Sequence, residues 1–147
     1  MQKNQIMTFE MKDGCLTVDG RQVFKELSFV AEAGTPFRLS MLEGEDRTLL
    51  AKTLMGLWPL DSGCITIDGA LLTDRSAPYL RRMMAYVPHE LPDEVTGLHQ
   101  VLREISEEGK HIIIVDMAPG VQNPKLLDDY IARQQADGKI VIIIDDK

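Results

Sequence analysis

Hydrophobic and polar positions alternate along the first third of the chain, a pattern that predicts short strands joined by turns. The predicted strands cover residues 7–11, 15–18 and 27–30, with turns at 12–14 and 19–20. Asp19-Gly20 stands between two of these runs, and Asp-Gly in that setting is a strong signal for a β-hairpin. This part of the chain is therefore predicted to form an antiparallel sheet.

A strand, an acidic loop and a helix are predicted next. Residues 36–42 have the apolar bias of a strand, three carboxylates follow, and a helix is expected over 47–55, where Gly56 ends it. A strand over 64–67 then runs into a second Asp-Gly turn. We expect the antiparallel sheet to lie beside this strand-loop-helix unit.

The last third has a different pattern, in which apolar runs at 112–115 and 140–144 show no alternation. Such runs are expected for strands covered on both faces. Between them, Asn123 can cap a helix with Pro124 in its first turn and Gly138 after its end. The expected buried stripe of this helix is Leu126, Leu127, Tyr130 and Ile131. Amphipathic spacing also predicts a helix from residue 98 that Gly109 closes, after a short helix at 77–82 and a strand at 83–88. Strand, helix and strand in this order predict a parallel α/β sheet.

Composition places the chain among soluble globular proteins. Its 147 residues, 44% hydrophobic and 27% charged, fit a single domain over 1–147. The longest apolar runs are far shorter than the roughly 20 residues of a membrane span, and the first residues lack a secretion signal pattern. We therefore expect a cytoplasmic protein with no direct membrane insertion. A net charge of −7 disfavours nucleic acid and anionic lipid as partners.

The few cysteines and histidines do not predict a disulfide or a metal site. Cys15 and Cys64 are far apart in sequence and are expected to be small hydrophobic side chains. His89, His99 and His111 lack the spacing of metal ligands. Trp58 is expected to fill the core near the end of the first helix, with an interface patch as the alternative.

Several segments together resemble the nucleotide-binding domain of ATP-binding cassette (ABC) transporters. They are GRQVFKELSFVAEAG, TLMGLWPLDSGCITIDG, LRRMMAYVP, and the late strands HIIIVD and GKIVIII, in this order. The resemblance covers nearly the whole chain and implies an α/β fold. It implies a P-loop NTPase-like parallel sheet core and an N-terminal antiparallel β subdomain. The helical signature subdomain is largely missing, because only residues 90–110 separate two strands that the family joins through it.

The phosphate-binding loop of the family, G-x-x-x-x-G-K-[ST], has lost its defining residues here. Residues 41–48 read MLEGEDRT, so that both defining glycines are replaced and Arg47 stands in place of the lysine. Two like charges about 5 Å apart repel by about 3 kcal/mol at an effective dielectric constant of about 20. Repulsion of phosphate by the carboxylates of Glu43, Glu45 and Asp46 is therefore expected to exceed the attraction of phosphate to Arg47. We expect Glu45 or Asp46 to cap the helix instead, with an exposed acidic loop or a surface for a cation or basic partner as alternatives.

Other functional positions of the family are also changed. The resemblance places Val18 where an aromatic residue stacks on adenine, and His89 where a glutamine contacts magnesium. Asp116 retains the acid that helps to organise magnesium, but Met117 replaces the catalytic glutamate. The resemblance also places Asn123 where the family has a dimer-contact aspartate, and Asp146 where a histidine touches the terminal phosphate.

These departures predict a catalytically inactive ABC-like protein with a binding or regulatory role. The resemblance implies a protein partner: a genuine ABC ATPase, a transporter membrane subunit at the inner face of the membrane, or a second copy. No catalytic residue, resident metal or cofactor is expected. In the first alternative, the chain is a weak ATPase subunit that binds Mg-ATP through the vestigial set Gly44, Arg47, Thr48 and Asp116. In the second, it is a protein-interaction domain with no nucleotide role.

Overall fold

Two sheets and three helices form the fold in the computed structural model, which describes residues 7–35, 37–87, 103, 109–116 and 124–146. The strands are β1 (Thr8–Val18), β2 (Arg21–Glu32), β3 (Phe37–Leu42), β4 (Ser62–Ile67), β5 (Ala70–Leu71), β6 (Met84–Val87), β7 (Ile112–Asp116) and β8 (Ile140–Asp146). The helices are α1 (Glu45–Leu54), α2 (Ala77–Leu80), which continues into a 3₁₀ turn at Arg81–Met83, and α3 (Pro124–Ala136).

The first sheet is antiparallel with strand order β2-β1-β4-β5. The predicted hairpin at Asp19-Gly20 is present, and both residues have positive φ, 52° and 77°. The predicted turn over residues 12–14 is wrong, because β1 runs through this stretch and pairs with strands on both sides. The pairing with β2 shifts register between Met11 and Gly14, and the pairing with β4 shifts between Lys12 and Cys15. Pairing with two neighbours thus outweighs the local Asp-Gly signal.

The second sheet is parallel with strand order β3-β8-β7-β6. Helix α1 follows β3, and α3 makes the crossover from β7 to β8. The predicted parallel α/β sheet is therefore confirmed. Helix α1 begins at Glu45 rather than at Arg47, so that the acidic residues lie in its first turn.

The two faces of the parallel sheet are covered by different parts of the chain. Alternate residues of β7 and β8, among them Ile112 and Ile140, pack with α1 and the antiparallel sheet in one apolar cluster. The intervening residues, among them Ile113 and Val141, pack with Tyr130 of α3 in a second cluster. This double coverage explains why both strands read as continuous apolar runs.

The predicted α3 stripe is confirmed at Tyr130 and Ile131, whose exposed fractions are 7% and 6%. The side chains of Leu126 and Leu127 lie outside the description. Most of the helix predicted from residue 98 also falls outside the described residues, as do His89 and His99. In the described part of the chain, no helix has the length and apolar character needed to span a membrane.

Candidate functional site

The candidate site lies at the carboxyl ends of the parallel strands, where β3 leads into α1. Met41 and Leu42 still belong to β3, so the connection before α1 consists of Glu43 and Gly44 alone. Gly44 is the N-cap residue, with a φ of 56°, a conformation that glycine adopts at low cost. Both connecting residues are exposed.

The first turn of α1 is not capped by an acidic side chain, and the capping expectation for Glu45 and Asp46 is wrong. Backbone carbonyls satisfy the first amides instead: Asp46 N donates to Glu43 O at 3.1 Å, and Arg47 N donates to Gly44 O at 3.2 Å. The acids still lie at the end of the helix whose dipole favours negative charge.

Asp46 forms a two-pronged ion pair with Arg21, which follows the β1–β2 turn. Arg21 Nη1 and Nη2 donate to the two carboxylate oxygens at 2.7 and 2.9 Å. The fork of a guanidinium matches a carboxylate better than single amides do, and this explains why Asp46 pairs with Arg21 instead of capping the helix. The hydrogen bonds to Asp46, together with its charge, raise the pKa of Arg21. The pair joins the antiparallel sheet to the start of α1.

The next residue, Arg47, points into the protein and pairs with Asp116 at the end of β7. Its Nη1 lies 3.3 Å from Asp116 Oδ1. Arg47 is 5% exposed and Asp116 1%. The pair therefore stabilises both charges, because an isolated buried charge is strongly unfavourable.

Two hydroxyl groups also contact Asp116. Thr48 Oγ1 donates to Asp116 Oδ2 at 2.9 Å, and Tyr86 OH donates to the same oxygen at 3.0 Å. Burial, followed by the negative charge of Asp116, raises the pKa of Tyr86. The four side chains Arg47, Thr48, Tyr86 and Asp116 are called the Asp116 cluster below.

Tyr86 is the member of the cluster that sequence reasoning missed. Its strand, β6, pairs with β7 in parallel, with Tyr86 opposite Ile114. Carboxyl ends of neighbouring parallel strands lie at one edge of a sheet, so a polar side chain near the end of β6 was a usable signal. The structure brings Arg47, Thr48 and Asp116 together as side chains, whereas Gly44 contributes only backbone to the loop before them.

The structure describes only some of the other positions that differ from the family. Val18 is half-buried and packs against the large apolar cluster. Met117 and Asn123 lie outside the described residues, and the side chain of Asp146 is not described although its backbone ends β8. His111 is exposed, and in the described ranges no group of three or more metal-binding side chains could hold an ion.

Two curated relatives of the chain are named for ATP binding in sugar import. No protein-family model matches the chain. A Rhizobium meliloti protein named for ATP binding in ribose, galactose and methyl galactoside import is 30% identical over 119 residues, which are 80% of this chain and 20% of that protein. The ribose import ATP-binding protein of Bacillus cereus is 33% identical over 86 residues, 58% of this chain and 17% of that protein. The chain thus spans about a fifth of the length of these curated relatives.

Solved structures share the fold. An ATP-binding subunit of an ABC transporter superposes with a TM-score of 0.68 at 18% identity, covering 94% of this chain and 79% of that one. A Pyrococcus furiosus protein described as an ABC transporter ATP-binding protein gives a TM-score of 0.67 at 14% identity, covering 95% and 92%. By sequence similarity and by fold, the chain is a shortened relative of the ABC transporter nucleotide-binding domains.

Proposed function

We propose that this chain is a catalytically inactive relative of the ABC nucleotide-binding domains that acts by binding a protein partner. The observation that carries the proposal is the buried ion pair between Arg47 and Asp116. In the resembled family, a lysine at the position of Arg47 reaches phosphate, and an acid at the position of Asp116 helps to organise magnesium. Here the two side chains neutralise each other.

The Asp116 cluster does not fit a magnesium ion. Mg²⁺ is held by oxygen ligands in near-octahedral geometry and keeps several waters. Asp116 Oδ1 faces the Arg47 guanidinium, while Oδ2 accepts hydrogen bonds from Thr48 and Tyr86. A metal ion at Asp116 would stand beside the guanidinium cation, and releasing Arg47 would break a buried pair. We therefore assign no role to Mg-ATP.

The loop before α1 is also unsuited to phosphate. The carboxylates of Glu43 and Glu45 are both exposed at the helix N-terminus, where a phosphate would be placed. At an effective dielectric constant of about 20, each unit charge about 5 Å from a phosphate charge repels it by about 3 kcal/mol before salt screening. In the sequence, Met117 also replaces the carboxylate that would orient an attacking water.

The proposed partner is a protein of a transport system, either a genuine ABC ATPase or a membrane subunit, with a second copy of this chain as the alternative. Support comes from the relatives, which are named for sugar import. Such a partner would place the chain in the cytoplasm at the inner face of the membrane.

Phosphate release from ATP tests the inactive state. The purified protein should release phosphate at the background rate, and Thr48→Val should not change that rate. Thr48→Val removes the hydroxyl while keeping the volume and charge of the cluster, so it is better suited than a change of Arg47, which supports the fold. Activity that disappears in folded Thr48→Val protein would contradict the proposal and favour the weak ATPase.

Restoring the family loop tests whether its backbone still has a phosphate-binding shape. The variant combines Met41→Gly, Glu43→Asn, Asp46→Gly and Arg47→Lys. It should gain affinity for ATP or inorganic phosphate, whereas hydrolysis should stay absent because Met117 is unchanged. Circular dichroism must first show a folded variant, because Met41 lies in β3 and Asp46 pairs with Arg21. A folded variant with no gain would show that the resemblance stops short of the loop geometry.

A further inference from the structure

A cavity of about 270 Å³ lies beside Trp58, and no member of the Asp116 cluster lines it. It opens between the C-terminal end of α1 and the β4–β5 hairpin, with Thr53 and Gly56 among its lining residues. Thr53 lies on α1, five residues beyond Thr48, which corresponds to about 7.5 Å along the helix. This Trp58 cavity plays no part in the proposed function above.

The walls of the Trp58 cavity are mostly apolar. They are formed chiefly by Trp58, Leu60, Ile65 and Leu72, and the half-buried Cys64 also lines the space. Leu71 lines it as well and is 50% exposed, and Leu57, next to two lining residues, is 53% exposed. A ligand in this cavity would therefore cover apolar surface that now faces water.

The charged side chain among the lining residues is an acid, and the nearby Arg81 guanidinium, beside Gly56, is engaged with Met55 O at 3.0 Å. Asp74 is the charged residue of the lining, and no basic side chain lines the cavity. In the part of the chain that the structure describes, no salt bridge engages the Asp74 carboxylate. The net charge of −7 adds to the attraction for cations. The Trp58 ring can also attract a cation over its face.

We propose that the Trp58 cavity binds a small organic ammonium ion with an apolar or aromatic body. The body would pack among the apolar walls, and the ammonium group would lie at Asp74 and the indole. The volume is near the lower end of the range for ligand pockets, about 300–1,000 Å³, so the ligand must be small.

Trp58 provides a direct signal, because it is the sole tryptophan of the chain. Trp58 is excited at the red edge of its absorption band, and titration with phenethylamine should change its emission. We expect a dissociation constant of about 1 mM, a value suited to a ligand of so few atoms. Phenethyl alcohol, its neutral analogue, should bind about two- to fivefold more weakly, since an exposed charge pair contributes little. The anionic analogue hydrocinnamate should bind more weakly still. Equal affinities for the three probes, or no saturable change with phenethylamine, would overturn the proposal.

Two variants locate the ligand. Asp74→Asn should weaken phenethylamine binding to the level of the alcohol, whereas Asp128→Asn, which makes the same charge change on exposed α3, should leave it unchanged. Cys64→Met should fill the space and abolish the emission change. Binding that persists in folded Cys64→Met protein would place the ligand elsewhere and refute the assignment.

Thiol alkylation gives an independent readout on the unaltered protein. Saturating phenethylamine should slow alkylation of Cys64, which lines the cavity, and leave that of Cys15 unchanged. Peptide mapping by mass spectrometry separates the two thiols. Equal slowing at both thiols, or at neither, would contradict binding in the Trp58 cavity.

Discussion

Replacing Arg47 by methionine should strongly destabilise the fold, because it removes a cation that pairs with the buried carboxylate of Asp116. The Arg47 side chain is 6% exposed and that of Asp116 0%. Methionine keeps much of the length and apolar contact of the arginine stem and removes the charge. The substitution thus tests the electrostatic part of the Asp116 cluster.

The expected magnitude follows from what remains around the carboxylate. Removing one partner of a buried ion pair typically costs about 3–5 kcal/mol. Thr48 and Tyr86 still donate to Asp116 Oδ2, so we expect a loss near the lower end, about 3 kcal/mol. This is a large share of the roughly 5–15 kcal/mol that stabilises a typical domain.

Urea denaturation followed by Trp58 fluorescence and circular dichroism measures the loss. The matched variant is Arg47→Met combined with Asp116→Asn, in which the amide oxygen can still accept from Thr48 and Tyr86. We expect the double variant to be more stable than Arg47→Met alone, so that the two changes are far from additive.

Two results would refute this reasoning. One is a loss below about 1 kcal/mol for Arg47→Met, the range of exposed ion pairs. The other is additivity of the two substitutions, which would mean that the side chains do not interact. If Arg47→Met fails to fold, a double variant that is also less stable than Asp116→Asn alone would give the same negative answer.

Two further predictions concern the alkaline limit of stability and the close approach of β1 to β4. Burial and the charge of Asp116 raise the pKa of Tyr86 in the folded state, so above about pH 10 the unfolded chain loses its tyrosine proton first and stability should fall. In urea denaturation at alkaline pH, Tyr86→Phe should reduce this fall, and the exposed Tyr79→Phe should not. A Cβ on Gly63 would lie 2.3 Å from the backbone oxygen of Asp13, whereas one on Gly69 would meet nothing within 4 Å. Both glycines have positive φ, so Gly69→Ala should lower the free energy of unfolding by about 1–2 kcal/mol, and Gly63→Ala should lower it clearly more. Equal thermal unfolding midpoints for the two variants would contradict the close approach of β1 to β4.

Much of the fold could be predicted because hydrophobic periodicity reports which faces of a strand are covered. The continuous apolar runs of β7 and β8 indicated a parallel sheet covered on both faces, and the Asp-Gly turns indicated hairpins. The stretch at residues 12–14 was predicted wrongly, since a turn signal is local and pairing with two strands is not. A Cβ on Gly14 would lie 2.5 Å from Met11 Sδ, so the buried Met11 side chain would have to shift to admit one.

Three members of the Asp116 cluster were predictable, whereas Tyr86 and the contacts within the cluster were not. Arg47, Thr48 and Asp116 could be selected from the family pattern, yet no sequence rule says that Arg47 is buried against Asp116 while Asp46 pairs with Arg21. These pairings link residues 69 and 25 positions apart. They depend on how the sheets and α1 pack, and they reverse the expectation that Asp46 caps the helix.

Calorimetric titration with Mg-ATP tests the central claim most directly, because the claim is that Arg47 and Asp116 serve each other rather than a nucleotide. We predict no saturable heat at millimolar Mg-ATP and no rise in the thermal unfolding midpoint. A ligand at 100 times its dissociation constant would stabilise the fold by about 2.7 kcal/mol, and a stabilisation of this size would raise the thermal unfolding midpoint measurably. Micromolar affinity with a matching rise in the midpoint would contradict the account and establish the chain as a nucleotide-binding protein.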